Sequence, residues 1–208
     1  MLIVITKDPV VPAAISILRK SEGDNWGWGR TFKIKKGCDQ KQAETQIEGW
    51  VSKLKPQENL CLVGHGDKDH LGGSNEGIDL IAWTPDEVGN LLKSSLPENW
   101  TNSILIRSCG EDGESFASGL SAQLDVARPG ISVFGYTKEI IKVHKIPNPN
   151  QLEEERKNGE LVEERTNPFG FMDDVPGADP NAENAMAVDP PQNEGNKESE
   201  GDTDMIEA

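Results

Sequence analysis

Short, mostly apolar runs alternate along the chain with longer segments in which apolar residues recur every three or four positions. Runs of about four to six residues that are rich in β-branched side chains are typical of buried strands. The pattern predicts strands at residues 2–6, 59–64, 103–108 and 131–137, with weaker candidates at 30–36 and 139–145.

The longer segments predict helices at residues 8–20, 39–54, 84–96 and 113–124. In the third of these, Thr84 and Glu87 are the two halves of a capping box, and Pro85 suits the first helical position. Asp8 suits the N-cap of the first helix. The apolar face of that first helix is predicted to consist of Val10, Ala14, Ile17 and Leu18.

Alternating strands and helices predict an α/β fold, in which a mostly parallel sheet carries helices on both faces. Functional groups in such sheets collect beyond the carboxyl ends of the strands. His65 follows one of the most apolar strands, and Cys109 follows another. If the two strands are neighbours, about 4.8 Å apart, the imidazole and the thiol lie at the same edge. Together they would provide the base and the nucleophile of a cysteine-dependent enzyme.

The amino-acid composition becomes strongly acidic towards the C-terminal end. The 208 residues carry a formal net charge of -15, and residues 147–208 contain 17 acidic but 4 basic side chains. Residues 173–208 are also poor in aromatic and β-branched side chains, so burial cannot offset the entropy of ordering them. We therefore predict a folded domain at 1–146 and an acidic, largely disordered tail at 147–208.

Charge, hydrophobicity and cysteine content limit the binding partners and the cellular compartment that the sequence predicts. The acidity argues against nucleic-acid binding, which requires a basic face. No stretch approaches the roughly 20 apolar residues of a membrane span, and the first residues lack the regions of a signal peptide. Cys38, Cys61 and Cys109 form no disulfide framework. These features predict a cytoplasmic protein, or one exported without a cleaved signal peptide, that binds neither nucleic acid nor membrane.

Four segments carry a resemblance to a known family. They are "KDPVVPAAISIL" at 7–18, "LVGHG" at 62–66, "WTPDEVGNLL" at 83–92 and "SILIRSCGEDGESFASGLSAQL" at 103–124. In order and spacing they resemble the caspase–gingipain–legumain clan of cysteine peptidases. Within that clan, residues 1–142 are most similar to the cysteine protease domain of self-processing bacterial toxins, which include the clostridial glucosylating toxins and the multifunctional repeats-in-toxin proteins.

The resemblance implies a caspase-like sheet and a cysteine endopeptidase that cleaves protein or peptide substrates through a thioester acyl-enzyme. Cys109 would be the nucleophile, His65 its base, and Asp8 the group that orients the imidazole. The backbone N–H groups of Gly66 and Cys109 would form the oxyanion hole. Glycine at 66 would let the main chain approach a substrate without a Cβ clash.

No metal or cofactor is predicted from the residues themselves. The resemblance implies activation by inositol hexakisphosphate, which the toxin domains bind with a basic surface and a β-flap. Here the segment after Lys145 is acidic, and no phosphate-binding set can be identified in it. A short flap near residues 159–166 is the nearest counterpart.

Two other interpretations of the function remain open. The run containing His65, Asp67, Asp69 and His70 also resembles the zinc loop of metallo-β-lactamase-fold hydrolases, whose ligands suit Zn²⁺. Alternatively, the chain is a catalytically inactive caspase-fold protein that binds partners through its acidic tail. Cys61, inside an apolar run, is predicted to be a core residue, and Cys38 an exposed loop thiol.

Overall fold

Six strands form one sheet in the computed structural model, which describes residues 1–6, 10–72, 81–108, 113–125, 127–137 and 146–165. The strands are β1 (Leu2–Val4), β2 (Thr31–Lys33), β3 (Leu60–Gly64), β4 (Ser103–Ser108), β5 (Ser132–Tyr136) and β6 (Leu161–Arg165). They lie in the order β2-β1-β3-β4-β5-β6, and only β6 is antiparallel to its neighbour. The predicted α/β class and mostly parallel sheet are therefore confirmed.

Five α-helices are described, and their caps explain where several of them begin. They are α1 (Val10–Glu22), α2 (Gln40–Val51), α3 (Pro85–Ser95), α4 (Gly113–Leu124) and α5 (Leu152–Lys157). Thr84 and Glu87 form the predicted capping box of α3, with Pro85 at the first position. Asp39 and Gln42 form a second box at the start of α2. Each box satisfies backbone N–H groups that have no partner inside the helix.

The central strands β1, β3 and β4 are mostly apolar on both faces, because each face of the sheet is covered there. On one face, Ile3, Leu62 and Ile106 belong to a core that also contains buried residues of α2, α3 and α4. On the other face, Val4 and Val63 belong to a second core that includes buried residues of α1 and α5. Successive strand residues alternate between the two cores, as the period of two requires. Helices on both faces were predicted and are confirmed.

The predicted apolar face of α1 is wrong for Val10 and Ile17, whereas Leu18 packs against the second core as predicted. Val11 and Ile15 are the buried residues of this helix, whereas Val10 and Ile17 are each 68 % exposed. The run "VVPAAISIL" offers apolar residues at both spacings, so the sequence alone did not determine which stripe faces the sheet. Packing against β1 and β3 selects the stripe that starts at Val11.

Secondary structure continues past residue 146, where the folded domain was predicted to end. α5 and β6 follow that position, and β6 pairs with the whole length of β5. Trp28 is buried, and its Nε1 donates a hydrogen bond of 2.9 Å to the carbonyl of Pro147. The weaker strand candidate at 139–145 and the remainder of the predicted tail, 166–208, lie outside the described residues. Within the described part of the chain, no helix combines the length and apolar character needed to cross a membrane.

Candidate active site

The carboxyl ends of β3 and β4, which lead to the two principal predicted residues, are neighbours in the sheet. β3 and β4 pair in parallel, and Gly64, the last residue of β3, is the Cα partner of Ser108, the last residue of β4. His65 and Cys109 are the next residues along each strand. The condition on which the predicted juxtaposition of His65 and Cys109 rests, that these strands are sheet neighbours, is therefore met. Cys109 itself lies outside the described residues, as does Asp8, which follows β1.

The strand order marks the same edge as a place for ligands. The chain runs from β1 to β2 on one side and then crosses to β3 on the other side of β1. Open parallel sheets form a crevice at such a switch point, beyond the carboxyl ends of the two central strands. The carboxyl end of β3 leads directly into His65, which is half-buried there. His65 therefore occupies the position at which α/β sheets of this order hold their functional groups.

A tight hairpin fixes the main chain at His65. The carbonyl of His65 accepts a hydrogen bond of 2.7 Å from the backbone N–H of Gly72. Gly66 and Leu71 form an antiparallel bridge, and Leu71 exchanges two backbone hydrogen bonds of 2.9 Å with Trp83. Gly72 has a φ of +110°, which favours glycine, and a Cβ there would come within 2.9 Å of Trp83.

Glycine at 66 is required by the protein's own packing. A Cβ at this position would lie 2.6 Å from the carbonyl oxygen of His70 and 3.0 Å from the Cβ of Ser108. The backbone after β3 thus passes directly against the end of β4. The predicted reason, approach to a substrate, stays a prediction, whereas the contact with Ser108 is an observed one.

The acidic loop that suggested a zinc site has a structural role. Asp67 Oδ1 accepts hydrogen bonds of 2.8 Å from the backbone N–H groups of Asp69 and His70. Burial raises the pKa of Asp67, but these hydrogen bonds outweigh it and hold the pKa below its ordinary value. The side chains of His70 and Asp67 are 50 % and 64 % exposed, with Nδ1 and Oδ1 3.5 Å apart. Among the described residues, no group of three or more His, Cys, Asp or Glu side chains is placed to hold a metal.

Arg107 is a buried charge next to the site that the sequence pattern did not single out. It is 1 % exposed, in the strand that leads to Cys109. Its Nη1 donates a hydrogen bond of 3.2 Å to the carbonyl of Ser108, and its Cζ lies 4.8 Å from the ring centre of Tyr136 in β5. Burial raises the pKa of Tyr136, and the nearby Arg107 charge opposes that rise. The sequence feature that could have identified this residue is the single arginine within the otherwise apolar run "SILIRS".

The two described cysteines are both buried. Cys61 lies inside β3 with no exposed surface, and burial raises the pKa of its thiol, which disfavours the reactive thiolate form. Its predicted role as a core residue is confirmed. Cys38 was predicted to be an exposed loop thiol, which is wrong: it is 7 % exposed and belongs to the core on the α2 side of the sheet.

Comparison with family models finds no match for the chain, and comparison with curated protein sequences finds no significant match either.

Proposed function

We propose that the protein is a cysteine peptidase of caspase-like fold that cleaves protein or peptide substrates. The observation that carries the proposal is the pairing of Gly64 with Ser108 at the ends of two parallel strands. It makes His65 and Cys109 the first residues beyond neighbouring strand ends. A thiol and an imidazole at such positions are the components of an activated cysteine nucleophile.

The alternation of side chains along the two strands supports the same pairing. Val63 and Arg107 are Cα partners, and Val63 belongs to the core on the α1 side of the sheet. His65 and Cys109 are two residues further along each strand. Strand periodicity, continued by two residues, assigns the His65 side chain to the face that α1 covers. α1 begins at Val10, two residues after Asp8 in the sequence.

The proposed reaction is acyl transfer in two steps. His65 takes the proton from the Cys109 thiol, and the sulfur attacks the scissile carbonyl carbon. The N–H groups of Gly66 and Cys109 stabilise the resulting oxyanion. When the C–N bond breaks, His65 gives its proton to the leaving amine, and a thioester remains. His65 then takes a proton from water, whose oxygen attacks the thioester carbon. The C–S bond breaks, the carboxylic acid product leaves, and His65 returns the proton to the Cys109 sulfur. Asp8 orients the imidazole throughout.

A peptide library tests the proposal directly. Wild type is incubated with the library, beside Cys109→Ala and His65→Ala, and cleavage is followed by mass spectrometry. We expect cleavage by wild type alone. Cys38→Ala is the matched control for loss of a thiol, and His70→Ala the control for loss of a histidine in the same hairpin. Both controls should cleave as wild type does.

The outcomes separate the competing functions. Equal cleavage by wild type and Cys109→Ala would contradict the proposed mechanism. Loss of cleavage in His70→Ala, together with zinc retained by the purified protein, would favour the metal hydrolase. Absence of cleavage, with thiol labelling of Cys109 that does not depend on His65, would favour the inactive interaction protein.

A further inference from the structure

Arg107 occupies a place in β4 where a charge is costly. It is 1 % exposed, and it stands two residues before Cys109. Apolar side chains fill the neighbouring positions of that face, among them Val63 and Leu105. Burial of a guanidinium is unfavourable unless the charge has well-placed partners. The contacts of Arg107 therefore indicate what the side chain does.

The contact of Arg107 with Tyr136 links β4 to β5 beyond the point at which the two strands stop sharing backbone pairs. β4 and β5 pair from Ser103 with Ser132 to Leu105 with Phe134, whereas β4 and β3 pair as far as Ser108. Beyond Leu105, Arg107 lies over the ring of Tyr136, with Cζ 4.8 Å from the ring centre. The guanidinium is planar and its donors form a rigid fork, so contact with the ring restricts the orientations that its N–H groups adopt.

One of those N–H groups binds the last carbonyl of the strand. Arg107 Nη1 donates to the oxygen of Ser108 at 3.2 Å. This carbonyl belongs to the peptide bond that joins Ser108 to Cys109. The peptide group is planar, so a fixed C=O direction also fixes the N–H on the other side of the same bond.

We propose that Arg107 is a positioning residue for the oxyanion hole: its hydrogen bond to the Ser108 carbonyl, together with its contact with Tyr136, restrains the peptide group that leads into Cys109, whose N–H the proposed mechanism assigns to the oxyanion hole. The inference rests on the proposed peptidase function and adds a residue to it. Arg107 does not touch the substrate, and it transfers no proton.

Two reactions of the same thiol provide the test. Alkylation of Cys109 by iodoacetamide needs the thiol but no oxyanion hole. Hydrolysis of an amide substrate needs both, and so does binding of a peptide aldehyde, which forms a tetrahedral adduct on sulfur. In Arg107→Lys, which keeps the charge but loses the planar fork, we expect kcat and aldehyde affinity to fall together by about 10- to 100-fold. KM and the alkylation rate should change less than about twofold.

Two further variants keep the test decisive. Tyr136→Leu removes the ring but leaves the arginine, and we expect the same pattern with a smaller effect. Arg128→Gln removes another arginine that binds backbone carbonyls, at the end of α3, and should leave kcat unchanged at temperatures where the variant is folded. Thermal melting establishes the folded range for each variant.

The outcomes are distinct. Unchanged kcat and aldehyde affinity in folded Arg107→Lys and Tyr136→Leu would overturn the inference, and so would an equal fall of alkylation and turnover, because the thiol itself would then be affected. Either result leaves the peptidase proposal standing, provided that wild type cleaves and Cys109→Ala does not. Wild type that neither cleaves nor binds the aldehyde would overturn both proposals.

Discussion

Gly66 lies directly against Ser108, so that a Cβ added to Gly66 would come within 3.0 Å of the Cβ of Ser108 and 2.6 Å of the carbonyl oxygen of His70. Both neighbours belong to paired backbone that cannot move independently, because Ser108 ends β4 and His70 precedes the bridge at Leu71. We expect Gly66→Ala to lower the free energy of unfolding by about 1–3 kcal/mol. Urea denaturation followed by circular dichroism measures the change.

Gly49 offers a matched control for this substitution. It lies in α2, and no heavy atom comes within 4 Å of a Cβ placed on it. Gly49→Ala should raise the free energy of unfolding by about 0.5–1 kcal/mol, because alanine loses less backbone entropy in a helix. If Gly66→Ala were as stable as wild type, the contact with Ser108 would not constrain the site.

The ionisation of Glu58 is expected to make the stability of the fold depend on pH. Its carboxylate binds Arg30 through two hydrogen bonds, of 3.2 Å from Nε and 2.5 Å from Nη2, and accepts a third from the backbone N–H of Lys55. Burial raises the pKa of Glu58, but these partners outweigh it and lower the pKa below its ordinary 4.5. A carboxylate with a depressed folded pKa stabilises the protein above its unfolded pKa and loses that contribution as the pH falls through the folded pKa.

We therefore expect Glu58→Gln to be less stable than wild type by about 1–3 kcal/mol at pH 7. The difference should shrink as the pH falls from about 5 towards 3. Urea midpoints at five or six pH values would show this convergence. Glu48→Gln, on the exposed side of α2, is the control for loss of one negative charge. A difference that stayed constant down to pH 3 would contradict the assigned role of Glu58.

Arg128 closes the C-terminal end of α3. Its Nη2 donates to the carbonyls of Lys93 at 2.7 Å and Leu96 at 2.8 Å, and its Nη1 to that of Pro97 at 3.2 Å. The Lys93 carbonyl has no partner within the helix because residue 97, four positions on, is a proline without an N–H, and a cation at this end also suits the helix dipole. Arg128→Met should lower the free energy of unfolding by about 1.5–3 kcal/mol, measured by urea denaturation. Arg128→Lys should retain part of this stabilisation. An equal loss of unfolding free energy in both variants would argue against a role for the planar guanidinium.

The thiols should differ sharply in reactivity. Cys61 has no exposed surface, and burial raises the pKa of its thiol, so its reactive thiolate is scarce in the folded protein. We expect iodoacetamide at pH 7.5 to modify Cys61 only in denaturant, as read by peptide mass mapping. Labelling of Cys61 in the native protein, at the rate found in urea, would contradict its burial in β3.

The features that could be predicted from the sequence are those set by neighbours along the chain. The capping boxes at Asp39 and Thr84 each lie within four residues, and the apolar runs of β3 and β4 follow from burial on both faces. The pairing of those two strands could be predicted because a helix-length segment separates them, which suits a parallel connection.

Features that depend on distant residues could not be predicted. β6 has the polar sequence "LVEER" and becomes a strand only because β5 provides its backbone partners. Trp28 is buried through contacts that include Pro147, far away along the chain. Arg107 contacts Tyr136, a residue of another strand, so its place beside the candidate site becomes visible only in the folded chain.

The pairing of β5 with β6 bears on how the protein can be shortened. A polypeptide cut at residue 146 would lose the strand that pairs with β5 from Ser132 to Tyr136, and with it the buried side chains of Leu152 and Leu161. The uncovered edge of β5 would then offer free N–H and C=O groups to other molecules, which is a known route to aggregation. A recombinant protein intended for crystallisation or assay should therefore extend at least through Arg165.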